Sequence, residues 1–300
     1  MSTESSPEPP PRLNVGVVGT GRAGSVLGAA LKRAGHEVVA AYGVSDTSRL
    51  RAEALLPGVP LVPVEDVLAK ADLVLVTIPD DSLEAFISGI VTQGLVTPGQ
   101  LLVHASGRFG IGVLAEATAV GALPLALHPA MTLTGTSLDL DRLSGAPFGV
   151  TAPEALRPIA EALVVEMGGE PVWVPEQSRA LYHAALANGA NHLVTLVSQS
   201  VDLLASAGVE EPGRLLSPLL YAALDNALRQ GDQALTGPVV RGDASSVAAH
   251  IEVIGEISPE ARNAYIAMAR LTADRALDAA LLNPVNAAQL LEVLADAQDH

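Results

Sequence analysis

Ten residues near the amino terminus have the types and spacing to do chemistry: Val15-Gly16-Val17-Val18-Gly19-Thr20-Gly21-Arg22-Ala23-Gly24. The first four form a short apolar run that reads as a buried strand. The last six form Gly-x-Gly-x-x-Gly, and a helically spaced apolar run from Val26 to Ala34 follows. In this pattern Gly19 makes the tight turn, Gly21 lets the backbone approach a pyrophosphate, and Gly24 lets helix and strand pack closely. Free N–H groups and the positive helix end then face the phosphates. The spacing implies a dinucleotide site formed by Gly19, Thr20, Gly21, Arg22, Ala23 and Gly24.

Further polar groups follow apolar strands. Thr77-Ile78-Pro79-Asp80 ends the run from Asp72, Ser106-Gly107 ends Leu101–Ala105, and His128-Pro129 ends Ala122–Leu127. In an open α/β sheet, ligands bind outside the carboxyl ends of the strands. Thr77, Ile78, Pro79, Ser106, Gly107 and His128 therefore belong around one crevice with the glycine loop. The loop after the second strand, Val44 to Arg49, selects the nucleotide. Ser45, Ser48 and Arg49 suit the 2′-phosphate of NADP, whereas Asp46 suits the free ribose hydroxyls of NAD. The balance favours NADP and leaves NAD open.

The elements that must position these groups alternate strand and helix up to Pro175. Strands are expected at Val15–Val18, His36–Tyr42, near Leu61, at Asp72–Ile78, Leu101–Ala105, Ala122–Leu127, Phe148–Thr151 and Pro171–Val174. Such alternation predicts right-handed βαβ units, hence a Rossmann-type parallel sheet with helices on both faces. Beyond Glu176 only helical patterns occur. The first, Glu176–Ala207, is apolar on much of its surface and reads as a central buried helix containing Gly189. The expected organisation is a disordered tail over 1–12, a dinucleotide-binding domain over 13–175 and an all-α substrate and dimerisation domain over 176–300.

Inside the helical half, the informative residues are polar ones in apolar surroundings. His183 and Asn191 lie two turns apart on the long helix; each could also be a satisfied core group. Leu235-Thr-Gly-Pro-Val-Val-Arg-Gly-Asp243 is a rigid loop. There Arg241 could clamp a carboxylate and Asp243 could orient it, or the two could form an ion pair and a helix cap. His250 lies two turns into the following helix.

Composition excludes several classes. The chain has 300 residues, no cysteine and a formal net charge of −16. Thiolate metal sites and cysteine nucleophiles are therefore absent, and no His/Asp/Glu spacing resembles a metal-ligand set. The acidic balance argues against nucleic-acid binding. No apolar run reaches the ~18 residues of a membrane span, and Met1–Arg12 lacks a signal-peptide core, so a cytoplasmic protein is expected. The only lysines are Lys32 and Lys70, so any chemistry in the second half proceeds without lysine.

The glycine loop, Thr77–Asp80, His104-Ala-Ser-Gly107, His128-Pro129, Tyr182-His183 through Asn191, and Thr236–Asp243 occur in this order. Together they resemble Rossmann-like oxidoreductases with an uncharacterised helical carboxyl-terminal domain. More distantly the chain is similar to the pyrroline-5-carboxylate reductase, ketopantoate reductase and 6-phosphogluconate dehydrogenase group. The resemblance covers about residues 13–285. It implies an NAD(P)H-dependent reductase, a homodimer, whose substrate is a small carboxylate-bearing carbonyl or imine. Ketopantoate comes first and pyrroline-5-carboxylate second. Several relatives use a lysine on the long helix. The resemblance implies that His183 replaces it as general acid, with Asn191 orienting the substrate and Arg241 holding its carboxylate. A nucleotide-binding sensor without catalysis is the alternative.

Overall fold

Short runs of β-branched and leucine residues, apolar on every position, form strands buried on both faces. The clearest is Leu73–Val76, buried throughout. In this computed structural model residues 12–297 are described, and the tail expected over 1–12 lies outside them except for Arg12. Seven strands form one sheet in the order β2-β1-β3-β4-β5-β6-β7. They are β1 (Asn14–Val18), β2 (Glu37–Tyr42), β3 (Leu73–Val76), β4 (Leu101–His104), β5 (Leu123–Pro129), β6 (Pro147–Thr151) and β7 (Glu170–Trp173).

Alternate strand residues feed two cores. On one face Val15, Val17, Leu73 and Leu75 pack with α1 (Arg22–Arg33) and α7 (Arg157–Glu166). On the other, Val18, Val74 and Val76 pack with α3 (Val64–Lys70), α4 (Asp80–Thr92) and α5 (Ala115–Ala119). The pleat makes this division automatic, because successive side chains point to opposite faces.

Two expectations change, and two local features add to them. Leu61 makes only an isolated parallel bridge to Ala41, so the strand expected there is reduced to one residue. β6 runs antiparallel to β5, because its connection holds only the short helix α6 (Leu138–Arg142) and not a full crossover. That segment is organised by Asp139. Its fully buried carboxylate accepts from the N–H groups of Thr134 and Gly135 at 2.7 Å. Finally, α2 (Asp46–Leu55) begins inside the Val44–Arg49 segment, because the Ser45 side chain caps it by accepting from the Ser48 N–H.

The chain divides into two compact units, residues 1–189 and 190–300. The division falls beyond the change of pattern at Pro175, because α8 (Arg179–Leu186) is held to the sheet by the buried side chain of Arg179. The expected single helix from Glu176 to Ala207 is broken. A 3-10 turn (Glu176–Ser178) precedes α8, and a π turn (Ala187–Asn191) separates it from α9 (His192–Ser206).

In the second unit, α11 (Pro238–Arg241), α12 (Ala244–Ile257), α13 (Pro259–Asp278) and α14 (Pro284–Asp296) enclose a core of Val247, Ile251, Ile266 and Leu290. No residue of α9 or of α10 (Pro212–Gln230) is buried. Val194, Leu215, Leu219 and Leu228 are well exposed. The expectation of a central buried helix is corrected accordingly: apolar content shows that a face favours burial without specifying its cover. Among the described residues, no helix is long and apolar enough to cross a membrane.

Candidate functional site: a nucleotide cradle beside paired imidazoles

The strand order locates the crevice. From β1 the chain goes to one side for β2 and returns on the other for β3, so the sheet opens at the carboxyl ends of β1 and β3. The three motif glycines meet three different surroundings there. Gly19 has φ +97°. A side chain on Gly24 would strike the Gly19 carbonyl and the Thr77 hydroxyl, whereas one on Gly21 would meet nothing within 4 Å. Two glycines thus fold the loop, and the third leaves space above it. The first turn of α1 has no side-chain cap, which leaves its leading N–H groups available to an anion. This cradle fits a dinucleotide pyrophosphate.

The surrounding residues hold the loop. Thr77 Oγ1 donates to the Gly19 carbonyl at 2.6 Å, and the Gly19 N–H donates to Tyr42 O at 2.9 Å. Thr20 is fully buried and donates to Ser48 O at 2.9 Å, which makes it a support for the loop. Ile78 and Pro79 lead into α4, with Pro79 at its cap position. Arg49 is exposed and reaches back to the Gly43 carbonyl.

A second group of side chains stands at the ends of β4, β5 and β6. His128 Nδ1 lies 2.9 Å from the Tyr182 hydroxyl, and its ring stands edge-on to His183 at 6.3 Å between centroids. Both imidazoles pack against Gly107, where a side chain would meet His183 Cδ2 at 2.8 Å and His128 Nε2 at 2.9 Å. Beneath them lies Arg179, 1 % exposed. It donates to Thr151 Oγ1 at 2.8 Å, Ala126 O at 2.9 Å, Gly149 O at 3.0 Å and Ser106 O at 3.4 Å. Gly149 must lack a side chain because Tyr182 lies against it.

These surroundings set the protonation states. Burial, then the Arg179 charge and the neighbouring His183 and His104, lower the pKa of His128 from 6.5 to about 4. Burial lowers that of His104 likewise, to about 4. Its hydrogen bonds fix the tautomer. Nε2–H donates to Gly110 O at 2.8 Å and Nδ1 accepts the Ser106 N–H at 3.2 Å. The neutral imidazole thus holds the Ser106-Gly107 loop. Burial raises the Tyr182 hydroxyl above its usual value, opposed by Arg179 and by a backbone hydrogen bond from Gly149.

The structure therefore brings together His128, His183, Ser106 and Gly107 within the first unit. Asn191 falls in the second unit, exposed in the π turn. Arg241 is exposed at the end of α11. Asp243 caps α12, accepting from the Ser246 N–H at 3.1 Å and from the hydroxyls of Ser245 and Ser246. Of its two readings from sequence, the structure displays the cap. His250 pairs with the Tyr265 hydroxyl at 2.9 Å. Among the described residues, no group of three His, Asp or Glu side chains is placed to hold a metal ion.

Sequence reasoning missed Arg179, and it quoted Tyr182 without giving it a role. A signal existed: Arg179, Tyr182 and His183 are spaced i, i+3 and i+4, which puts them on one helix face.

Comparisons with known proteins agree with this architecture. A family model described as a Rossmann-like domain matches residues 1–129, and one described as a domain of unknown function, DUF2520, matches residues 146–272. No curated protein matches the sequence. A candidate NADP oxidoreductase from Bacteroides fragilis superimposes with a TM-score of 0.74 at 18% identity, over 88% of this chain and 98% of the other. An imine reductase from a Pseudomonas species gives 0.63 at 18% identity, over 95% and 100%. Pyrroline carboxylate reductase from Plasmodium falciparum, solved with NADP bound, gives 0.55 at 14% identity, over 88% and 98%. At these identities the likeness is one of fold.

Proposed function

We propose that this chain, which joins a Rossmann-like domain to a DUF2520 domain, is an NADPH-dependent reductase of small carboxylate-bearing carbonyl or imine compounds. One observation carries the reading. A cradle with space above Gly21 and a pair of imidazoles packed on Gly107 both stand at the carboxyl ends of strands in one sheet. A bound nicotinamide would supply a hydride to the substrate. Gly19–Gly24 hold the pyrophosphate, with Ser45 and Arg49 at the adenosine end. Thr77, Ile78, Pro79, Ser106 and Gly107 line the way to the imidazoles. The NADP named in similar structures supports NADP over NAD.

His183, half-buried beside Gly107, then delivers the proton, and His128 contacts the substrate. Roles for Asn191 and Arg241 rest on family resemblance, which also orders the substrates as ketopantoate first and pyrroline-5-carboxylate second. We assign nucleotide binding to residues 13–175, and substrate binding and dimerisation to 176–300. The exposed leucines of α9 and α10 support a homodimer, which sedimentation equilibrium tests.

The deciding experiment titrates the protein with NADPH and NADH, then follows NADPH oxidation with 2-oxo acids and cyclic imines. Binding of NADPH with turnover of at least one class supports the proposal. Failure to bind either nucleotide refutes it, and binding without turnover favours a sensor. A His183→Ala protein that binds NADPH and reduces substrate at the unaltered rate removes the proton-donor assignment.

A further inference from the structure

Resting on the reductase reading, we infer that the Arg179–Tyr182–His128 cluster selects a carbonyl substrate, whose oxygen becomes anionic during reduction, over a protonated imine. The observation is a buried cation with no carboxylate against it. All four acceptors of the Arg179 guanidinium are uncharged: one threonine hydroxyl and three backbone carbonyls. Tyr182 and Glu176 are the acidic groups that act on it, and the Glu176 carboxylate does not contact it, its oxygens accepting from the N–H groups of Ile111 and Gly112 at 2.8 and 2.9 Å. A buried charge is ordinarily paired, because removing it from water is costly. Here no carboxylate contacts the guanidinium, and its charge also acts on His128.

Its surroundings add to it. The charges that lower the His128 pKa are those of Arg179, His183 and His104. The Tyr182 hydroxyl lies 2.9 Å from His128 Nδ1, with the Arg179 guanidinium carbon 5.7 Å from its ring. Arg179 does not ligate the substrate, because its donors are turned to the sheet. It acts as a fixed positive charge beneath the hydroxyl and imidazole groups that meet the reacting atom. Such preorganised charge lowers the barrier where negative charge grows and raises it for a cation.

The balance is simple for a carbonyl. A hydride from the reduced nucleotide forms the new C–H bond, and the C=O π pair moves onto oxygen. That oxygen takes a proton from His183, leaving an alcohol and the oxidised nucleotide. An iminium would instead have to approach the buried Arg179 charge, which no carboxylate contacts directly.

The test compares two C5 acids, 2-oxopentanoate and 1-pyrroline-2-carboxylate, with saturating NADPH. The oxo acid is expected to have the higher kcat/KM by about 100-fold. Arg179→Met is expected to shrink that ratio at least tenfold, while Arg179→Lys, which keeps the charge, preserves it. A second readout needs neither turnover nor a variant that folds. Calorimetry on the wild-type NADP+ complex compares isobutyrate with isopropylammonium, and the anion should bind at least tenfold more tightly. Preferred imine reduction, or equal or tighter ammonium binding, overturns the inference and leaves the reductase reading intact. Loss of NADPH binding refutes that reading itself.

Discussion

The two halves of the candidate site are built from different materials. The cradle at β1 is made of backbone: Gly19 turns, Gly24 packs, Gly21 stays clear, and side chains such as Thr77 only hold the loop. The cluster at β4–β6 is made of side chains brought from four places, namely His104, His128, Thr151 and the Arg179–His183 face of α8. A backbone site tolerates no added atom at its packed positions. A side-chain site tolerates substitutions but changes its protonation.

That contrast predicts the largest effect at Gly24. Gly24→Ala forces a methyl group against the Gly19 carbonyl and the Thr77 hydroxyl, and should destabilise by about 4 kcal/mol in chemical denaturation. Gly21→Ala should leave stability within about 0.5 kcal/mol and weaken NADPH binding at least tenfold. Similar behaviour of the two variants would dissolve the division of labour among the glycines.

Next in size is acid sensitivity at the cluster. His104 is neutral in the fold down to about pH 4, whereas unfolded histidine takes up its proton near 6.5. The unfolded state therefore binds more protons between these values, and stability falls as pH drops through the window. The stabilisation is fully present above 6.5 and gone below about 4, a change on the order of 3 kcal/mol. Protonation also removes Nδ1 as acceptor for the Ser106 N–H, so the Ser106-Gly107 loop should loosen first in hydrogen exchange. His104→Gln should flatten the slope in urea midpoints measured from pH 7 to 4.5.

Smaller effects sharpen the comparison. Tyr182→Phe removes the hydrogen bond to His128 and should cost about 1 kcal/mol in thermal unfolding, with nucleotide affinity unchanged. A loss of NADPH binding in this variant would mean that cradle and cluster are not separable. Ser45→Ala removes the α2 cap, at about 0.5–1 kcal/mol. It should also reduce the preference for NADPH over NADH.

The cradle was legible in the sequence because its constraints are local. A strand, a turn that needs positive φ and a helix that must pack closely occupy consecutive residues, so glycine spacing records the geometry. The alternation of apolar runs likewise determined the layered sheet and the helical second half. It could not determine the direction of β6, which depends on what the short α6 connection spans. Nor could it say that α9 and α10 lie uncovered, since an apolar face carries no record of its partner.

The cluster belongs to tertiary structure for the same reason. Arg179 looks from sequence like an ordinary charged residue at a helix start. Only the convergence of Ser106, Ala126, Gly149 and Thr151 reveals four uncharged acceptors around it. Residue types and spacing thus determined a glycine cradle and the fold that carries it. Which groups surround the imidazoles, and with what charge, was decided by packing between residues far apart in the chain, because solvation and electrostatics depend on spatial neighbours and leave no periodic trace in sequence.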